Sequence, residues 1–297
     1  MRKGLLVTAA AAAVAGTAAV QGAAWAADTA FCASQRTLVD QYVGPLVKPV
    51  SGPGTPGTPQ AIGAMVVTLK LGEAPCFFHF GEIALGSGIA PDEQTIFELA
   101  SVTKTFTTAI LALRAKEGVV DVNAPVAPYL PPGFQLDPRM QGVTFQQLAT
   151  FTGGFPWSDP PGFRNEYTQE QFIAEVNALV PRDPIAGETN LPTLNYYSNG
   201  SLGLLGQALI NMESEFGKYL VLAPAGYSYW VARNLTGPLQ MIDTQVKPGG
   251  VWATGYAIEG NRWVVTPPFP FVPWAPAGAL RSNAADMKNY LAANLCA

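Results

Sequence analysis

The chain has 297 residues, a formal net charge of -4 and only 13% charged residues. That length accommodates one large or two modest domains with a real core. No basic patch or arginine-rich run appears, which argues against a nucleic-acid partner, and 30 glycines with 26 prolines point to long loops between elements rather than a plain bundle.

Arg2 and Lys3 give the N-terminus a basic start, and an alanine- and valine-rich stretch runs from Leu5 to about Val20. Ala24-Trp25-Ala26 then offers small residues at the two positions a signal peptidase reads. Residues 1–26 are therefore expected to be a signal peptide. The stretch is Ala-rich rather than Leu-rich and no stop-transfer charges follow, which weighs against a membrane anchor. Nothing later is long and apolar enough to span a bilayer. The mature chain is expected to begin near Ala27 and to be periplasmic or secreted. Export permits disulfides. Among Cys32, Cys76 and Cys296, the first two are the candidate pair and Cys296, near the chain end, is the odd one out.

Residues 33–48 read as a helix with Leu38, Tyr42 and Leu46 on one side. Gly52-Pro53-Gly54-Thr55-Pro56-Gly57-Thr58-Pro59 reads as a loop. Two strand-like runs, 64–70 and 76–83, flank Leu71-Gly72-Glu73-Ala74-Pro75 and predict a β-hairpin. His79, the only histidine, falls in the second run. A His-rich zinc site is thereby excluded, no metal is expected, and no Gly-x-Ser-x-Gly elbow accompanies this histidine as the base of a triad. An amphipathic helix follows, with Phe106, Ile110 and Leu113 at helical spacing and Gly118 at its end. From residue 119 to about 250, helical segments such as 144–150 and 169–179 alternate with Pro- and Gly-rich loops. Further helices are expected over 201–212 and 283–295. The organisation read from this pattern is an N-terminal α/β part over 27–118, a mainly helical subdomain over 119–255, and a return segment over 256–297.

Two clusters carry chemistry. Ser101-Val102-Thr103-Lys104 puts a hydroxyl and an amine three positions apart where the third element begins. On a helix that spacing places both on one face, separated by about 4.5 Å of rise. A free serine is a poor nucleophile, and a neighbouring base activates it. In isolation the tetrapeptide also fits a helix N-cap followed by a solvated lysine. Tyr196-Tyr197-Ser198-Asn199-Gly200 lies just before a helix carrying Leu202, Leu205 and Leu209. Tyr197 and Asn199 can both face one cleft from that corner. A phenol beside an ammonium can serve as a base, and a carboxamide can both donate to and accept from a substrate amide. Ser198, between them, is given a structural role.

Taken together, Phe97-Glu98-Leu99-Ala100-Ser101-Val102-Thr103-Lys104 followed by Tyr197-Ser198-Asn199 resembles the class C β-lactamase and penicillin-recognising serine hydrolase family. Between them, Phe145-Gln146-Gln147-Leu148-Ala149-Thr150-Phe151-Thr152-Gly153-Gly154-Phe155-Pro156 looks like a further family stretch. Gly237-Pro238-Leu239-Gln240-Met241 and the run from Ala277 to Met287 also fall in family order. Two positions depart from the class C pattern: Ala100, where Gly is usual, and Thr103, where Ser or Ala is usual. Class A enzymes are a poorer match, because their middle motif is Ser-Asp-Asn. The resemblance implies a β-lactamase/transpeptidase-like fold, an α/β domain with an antiparallel sheet flanked by helices plus an all-α subdomain. It implies acylation of Ser101 by a β-lactam or D-Ala-D-Ala-like substrate, with Lys104 and Tyr197 moving the proton and Asn199 and Ser158 binding substrate. A D-Ala-D-Ala carboxypeptidase or carboxylesterase would use the same residues. No cofactor is implied, and a monomer is expected. The family's third motif, Lys-Thr-Gly or a His-x-Gly variant, has no match; Thr236-Gly237 and Thr254-Gly255 come too early and lack the lysine. The expectation is therefore a C-terminally truncated member whose sheet lacks its last strands, with an inactive product as a further alternative. Loss of one of two oxyanion-hole donors costs roughly a hundred- to a thousandfold in rate.

Overall fold

The structure is a computed structural model that describes residues 29–47, 61–155, 168–181, 196–213, 224–259, 262–268 and 274–295. The expected signal peptide, the loop at 52–59, Ser158 and Cys296 lie outside these residues.

Helix α1 (Ala30–Tyr42) starts at Thr29, whose hydroxyl accepts the Cys32 N–H at 3.1 Å. Pro45 cannot continue the helix, and a 3-10 turn over Gly44–Leu46 follows. The expected apolar side is not the buried one. Leu38, Tyr42 and Leu46 are 48%, 66% and 53% exposed, whereas Cys32 and Val39, two turns apart, face inward. The reason is the disulfide between Cys32 and Cys76, which ties α1 to strand β2 through its own small cluster with Phe78.

Strand β1 (Gly63–Thr68) pairs antiparallel with β2 (Cys76–Gly81), in register from Gly63 opposite Gly81 to Thr68 opposite Cys76. This is the expected hairpin, with exposed His79 in it opposite Met65. Strand β3 (Phe97–Glu98) leads into a 3-10 turn over Ala100–Val102 and then into helix α2 (Thr103–Lys116). Helix α2 buries Phe106, Ile110 and Leu111. Leu113, expected beside them, is 39% exposed. The last turn leaves the core, and Arg114 there reaches the carboxylate of Glu213 at 2.7 Å.

Helices α3 (Phe145–Ala149) and α4 (Gln169–Ala178) each begin with a capping box, Thr144/Gln147 and Thr168/Gln171. Helix α5 (Asn199–Glu213) is buried all round from Gly200 to Ile210, as a central helix must be. Leu202, Leu204, Leu205 and Leu209 are fully buried there, each contributing about 1.5–3 kcal/mol. Helix α6 (Pro224–Val231), strands β4 (Tyr256–Glu259) and β5 (Arg262–Val265), and the short helix α7 (Ala275–Gly278) follow. Strand β6 (Arg281–Ser282) then pairs with β3, and α8 (Ala284–Leu295) completes the order. Among the described residues the strands form three antiparallel ladders of two strands each. None of the described helices is long and apolar enough to cross a membrane.

Two glycines in α5 decide how α7 sits. A Cβ on Gly203 would lie 2.5 Å from the Trp274 ring, and one on Gly206 would lie 2.3 Å from the Pro276 ring. Only glycine lets the segment that follows Trp274 lie directly against α5.

Candidate active site

The site is built where β3, α2, α5 and α7 meet. The chain leaves β3 and passes Ala100, whose φ is +45°. That left-handed conformation is uncommon for a residue with a Cβ. Ser101 follows on the 3-10 turn and is exposed, while Thr103 and Lys104, in the first turn of α2, are buried.

The Lys104 ammonium has three protons and meets three acceptors. Nζ donates to Ser101 Oγ at 3.0 Å, to Asn199 Oδ1 at 2.7 Å and to the Ala277 carbonyl at 2.6 Å. Ser101 Oγ also hydrogen-bonds the phenolic oxygen of Tyr197. Lys104 Nζ lies 4.7 Å from the centre of the Tyr197 ring, within reach of a cation–π attraction. An alcohol, an ammonium, a phenol and a carboxamide from two stretches almost a hundred residues apart therefore converge. The hydroxyl sits between the amine and the phenol. Because Asn199 Oδ1 accepts from Lys104, the donor end of that carboxamide is Nδ2.

Each group is held from behind. Ser198 is buried, and its hydroxyl accepts the Ser201 N–H at 3.2 Å, capping α5; it plays the structural part expected of it. Ser201 Oγ in turn donates to the Leu148 carbonyl at 2.7 Å, tying α5 to α3. One turn beyond Lys104, Thr107 Oγ1 donates to the Pro276 carbonyl at 2.9 Å. Its single proton is thereby used, so the Tyr227 hydroxyl donates to it across 2.7 Å. Complete burial pushes the Tyr227 phenol up, which keeps it a neutral donor.

The segment from Pro276 to Arg281 runs along the start of α2 and bonds it step by step. Pro276 and Ala277 accept from Thr107 and Lys104; the Leu280 N–H donates to Thr103 Oγ1 at 3.1 Å, and the Leu280 carbonyl accepts the Leu99 N–H at 2.9 Å. Buried Arg281 then donates to Glu98 Oε1 at 2.8 Å. Below it, Asp286 accepts from Thr244 Oγ1 and from the Asp243 N–H, and burial raises its carboxyl above the ordinary range.

The sequence reading brings Ser101, Lys104, Tyr197 and Asn199 to one place, and the structure does the same. It did not anticipate the Ala277 carbonyl, because a backbone acceptor leaves no residue-type signal. The spacing Gly203-x-x-Gly206 on a leucine-rich helix was the available sign that another backbone comes close. Among the described residues no group of three His, Cys, Asp or Glu side chains is arranged to hold a metal.

A beta-lactamase family model matches residues 39–295, and the chain belongs to that family. It is 27% identical over 195 residues to the D-alanyl-D-alanine-carboxypeptidase/endopeptidase AmpH of Escherichia coli (strain K12), an alignment covering 63% of this chain and 46% of that protein. It is 28% identical over 163 residues to a beta-lactamase of Yersinia enterocolitica, covering 54% and 39%. Among solved structures, the beta-lactamase/D-alanine carboxypeptidase of Yersinia pestis complexed with citrate superposes with a TM-score of 0.62 at 21% identity, over 89% of this chain and 68% of that one. The fold is thus the β-lactamase/transpeptidase-like one. The chain spans under half the length of these two curated relatives.

Proposed function

We propose that the protein is an exported serine hydrolase of the class C β-lactamase type, which opens a β-lactam amide through an acyl-serine intermediate. The observation that carries this is the position of Ser101 Oγ between Lys104 Nζ and the Tyr197 hydroxyl. Lys104 Nζ donates to Oγ, and Oγ shares a hydrogen bond with the Tyr197 oxygen, so a direct path for a proton joins the serine to the phenol. In this reading the Tyr197–Lys104 pair enters the step one proton short of an ammonium plus a phenol; Oγ passes its proton to the Tyr197 oxygen as it attacks the lactam carbonyl, and the pair returns that proton to the leaving nitrogen as the C–N bond breaks. Tyr197 then takes a proton from the water that hydrolyses the ester. Asn199 Nδ2 donates to the substrate's side-chain amide, with Ser158 as a further binding residue. The Ser101 N–H is assigned as an oxyanion donor. Residues 1–26, read as a signal peptide, and the Cys32–Cys76 bond support a periplasmic or secreted location.

A second reading, a D-Ala-D-Ala carboxypeptidase, is favoured by the similarity to a protein of that name. The two separate when a chromogenic cephalosporin, a D-Ala-D-Ala peptide and a short p-nitrophenyl ester are offered to the same preparation. Multiple turnover of the cephalosporin, lost in Ser101→Ala, is the expected result. Turnover of the peptide alone or of the ester alone would remove the β-lactamase reading. A penicillin adduct that forms and is never released would mean a binding product rather than an enzyme.

A further inference from the structure

The phenol of Tyr197 must stay at Ser101 Oγ, yet Tyr196, Tyr197 and Ser198 belong to no helix or strand. What holds them is found in the turn after α3. Phe151 has φ +59°, in the left-handed region. It stands two residues past the last residue of α3, at the position where a helix commonly ends in glycine. A bulky aromatic residue there is a costly choice, and such conformations persist where the surroundings over-determine them. The surroundings do so here. The Thr150 N–H donates to the Gln146 carbonyl at 2.9 Å, the Thr152 N–H donates to the Gln147 carbonyl at 2.9 Å, and the two threonine hydroxyls meet at 3.0 Å.

Glycine would stop the helix at less cost, so the ring must contribute something the stop does not require. It packs on Tyr197, with ring centres 5.2 Å apart and planes tilted by 41°. The Phe151 carbonyl also accepts the Tyr196 N–H at 3.0 Å. One strained residue thus grips both the backbone entering the Tyr197 corner and the face of its ring. We infer that Phe151 is a positioning residue, which fixes the Tyr197 phenol at Ser101 and limits the water that reaches it. In this role it acts through Tyr197 rather than on the substrate.

The kinetic arm of the test rests on the acyl-serine reading; the spectroscopic arm does not. Phe151→Gly removes the ring while relieving the backbone; because the ring also packs on the main core, it is compared with the parent at a temperature at which both are folded. Phe151→Tyr restores the ring. With tyrosines labelled at the ring carbon bearing oxygen, the broadening of the Tyr197 resonance, identified by its loss in Tyr197→Phe, by a dissolved paramagnetic chelate is measured at one pH. In Phe151→Gly that broadening should exceed the parent's, because the ring no longer covers the phenol. The rate of labelled-penicillin attachment should fall roughly ten- to a hundredfold, as expected for a displaced catalytic group. Phe151→Tyr should recover both. Unchanged broadening together with a rate within about twofold of the parent would overturn the inference. Where Phe151→Gly melts lower, Phe151→Leu, which retains bulk but no ring, is compared at a temperature at which both are folded. The same two readouts then decide. Increased broadening in a protein that never takes up penicillin would uphold the positioning role and refute the acyl-serine reading instead.

Discussion

Replacing Ala100 by glycine should stabilise the protein although it removes a side chain. The φ of +45° puts Ala100 in the left-handed region immediately before Ser101. A residue with a Cβ pays about 1–2 kcal/mol to be there. Glycine pays none of this in the folded state but gives the unfolded chain more freedom, worth about 0.4–1 kcal/mol in the opposite direction. Ala100 is exposed, so deleting its methyl group forfeits little buried area. The balance is a gain of about 0–1.6 kcal/mol, centred near 0.8 kcal/mol, and at that centre Tm rises by about 2–3 °C for a domain of this size. Thermal unfolding of Ala100→Gly beside the parent, at one pH and one scan rate, reads this directly. Ala100→Val is the matching control. A β-branched residue is worse than alanine at positive φ, so this variant should melt below the parent. A glycine variant that melts lower than the parent, or a valine variant that melts higher, would refute the strain argument and with it the conformation assigned to the turn that presents Ser101.

Three further outcomes follow from the packing around the site. Lys104→Ala removes the donor to Ser101, Asn199 and Ala277 together; attachment of labelled penicillin should slow by about a thousandfold or more, and a near-parental rate would place the base elsewhere. Gly206→Ala drives a methyl group into the Pro276 ring 2.3 Å away; urea unfolding should show a loss of about 1–3 kcal/mol, and no loss would mean that α5 and α7 are less closely apposed. The Cys32–Cys76 bond closes a loop with a sequence separation of 44; by loop entropy, Cys32→Ser with Cys76→Ser should cost about 4 kcal/mol, and a loss under about 1 kcal/mol would contradict that estimate.

The candidate site side chains were legible because their spacing is tied to regular structure. Ser101 and Lys104 sit three apart at a helix start, and Tyr197 and Asn199 flank another helix start, so short-range geometry already aims each pair. The helices and the β1–β2 hairpin were legible for the same reason, since period and punctuation are local. Long-range packing decided the rest. The inward side of α1 was misjudged because the stripe of Leu38, Tyr42 and Leu46 is a better hydrophobic pattern than Cys32 and Val39, and a disulfide overrode it. Leu113 was misjudged because α2 leaves the core before its apolar spacing ends. The pairing of β3 with β6 joins residues almost two hundred positions apart over two residues each, too short to leave a periodic trace. Phe151 and the Ala277 carbonyl were invisible as supports because one acts through a backbone conformation and the other through a backbone oxygen.

The arrangement of an alcohol held between an amine and a phenol makes one demand that is independent of turnover or substrate spectrum. Mixing the 297-residue chain with a penicillin, quenching in acid while turnover proceeds, then measuring the intact mass and sequencing the modified peptide, locates the bond that forms. The expected result is a gain of one penicillin mass carried on Ser101 and absent in Ser101→Ala. An adduct on any other residue, or one that persists in Ser101→Ala, would contradict the account.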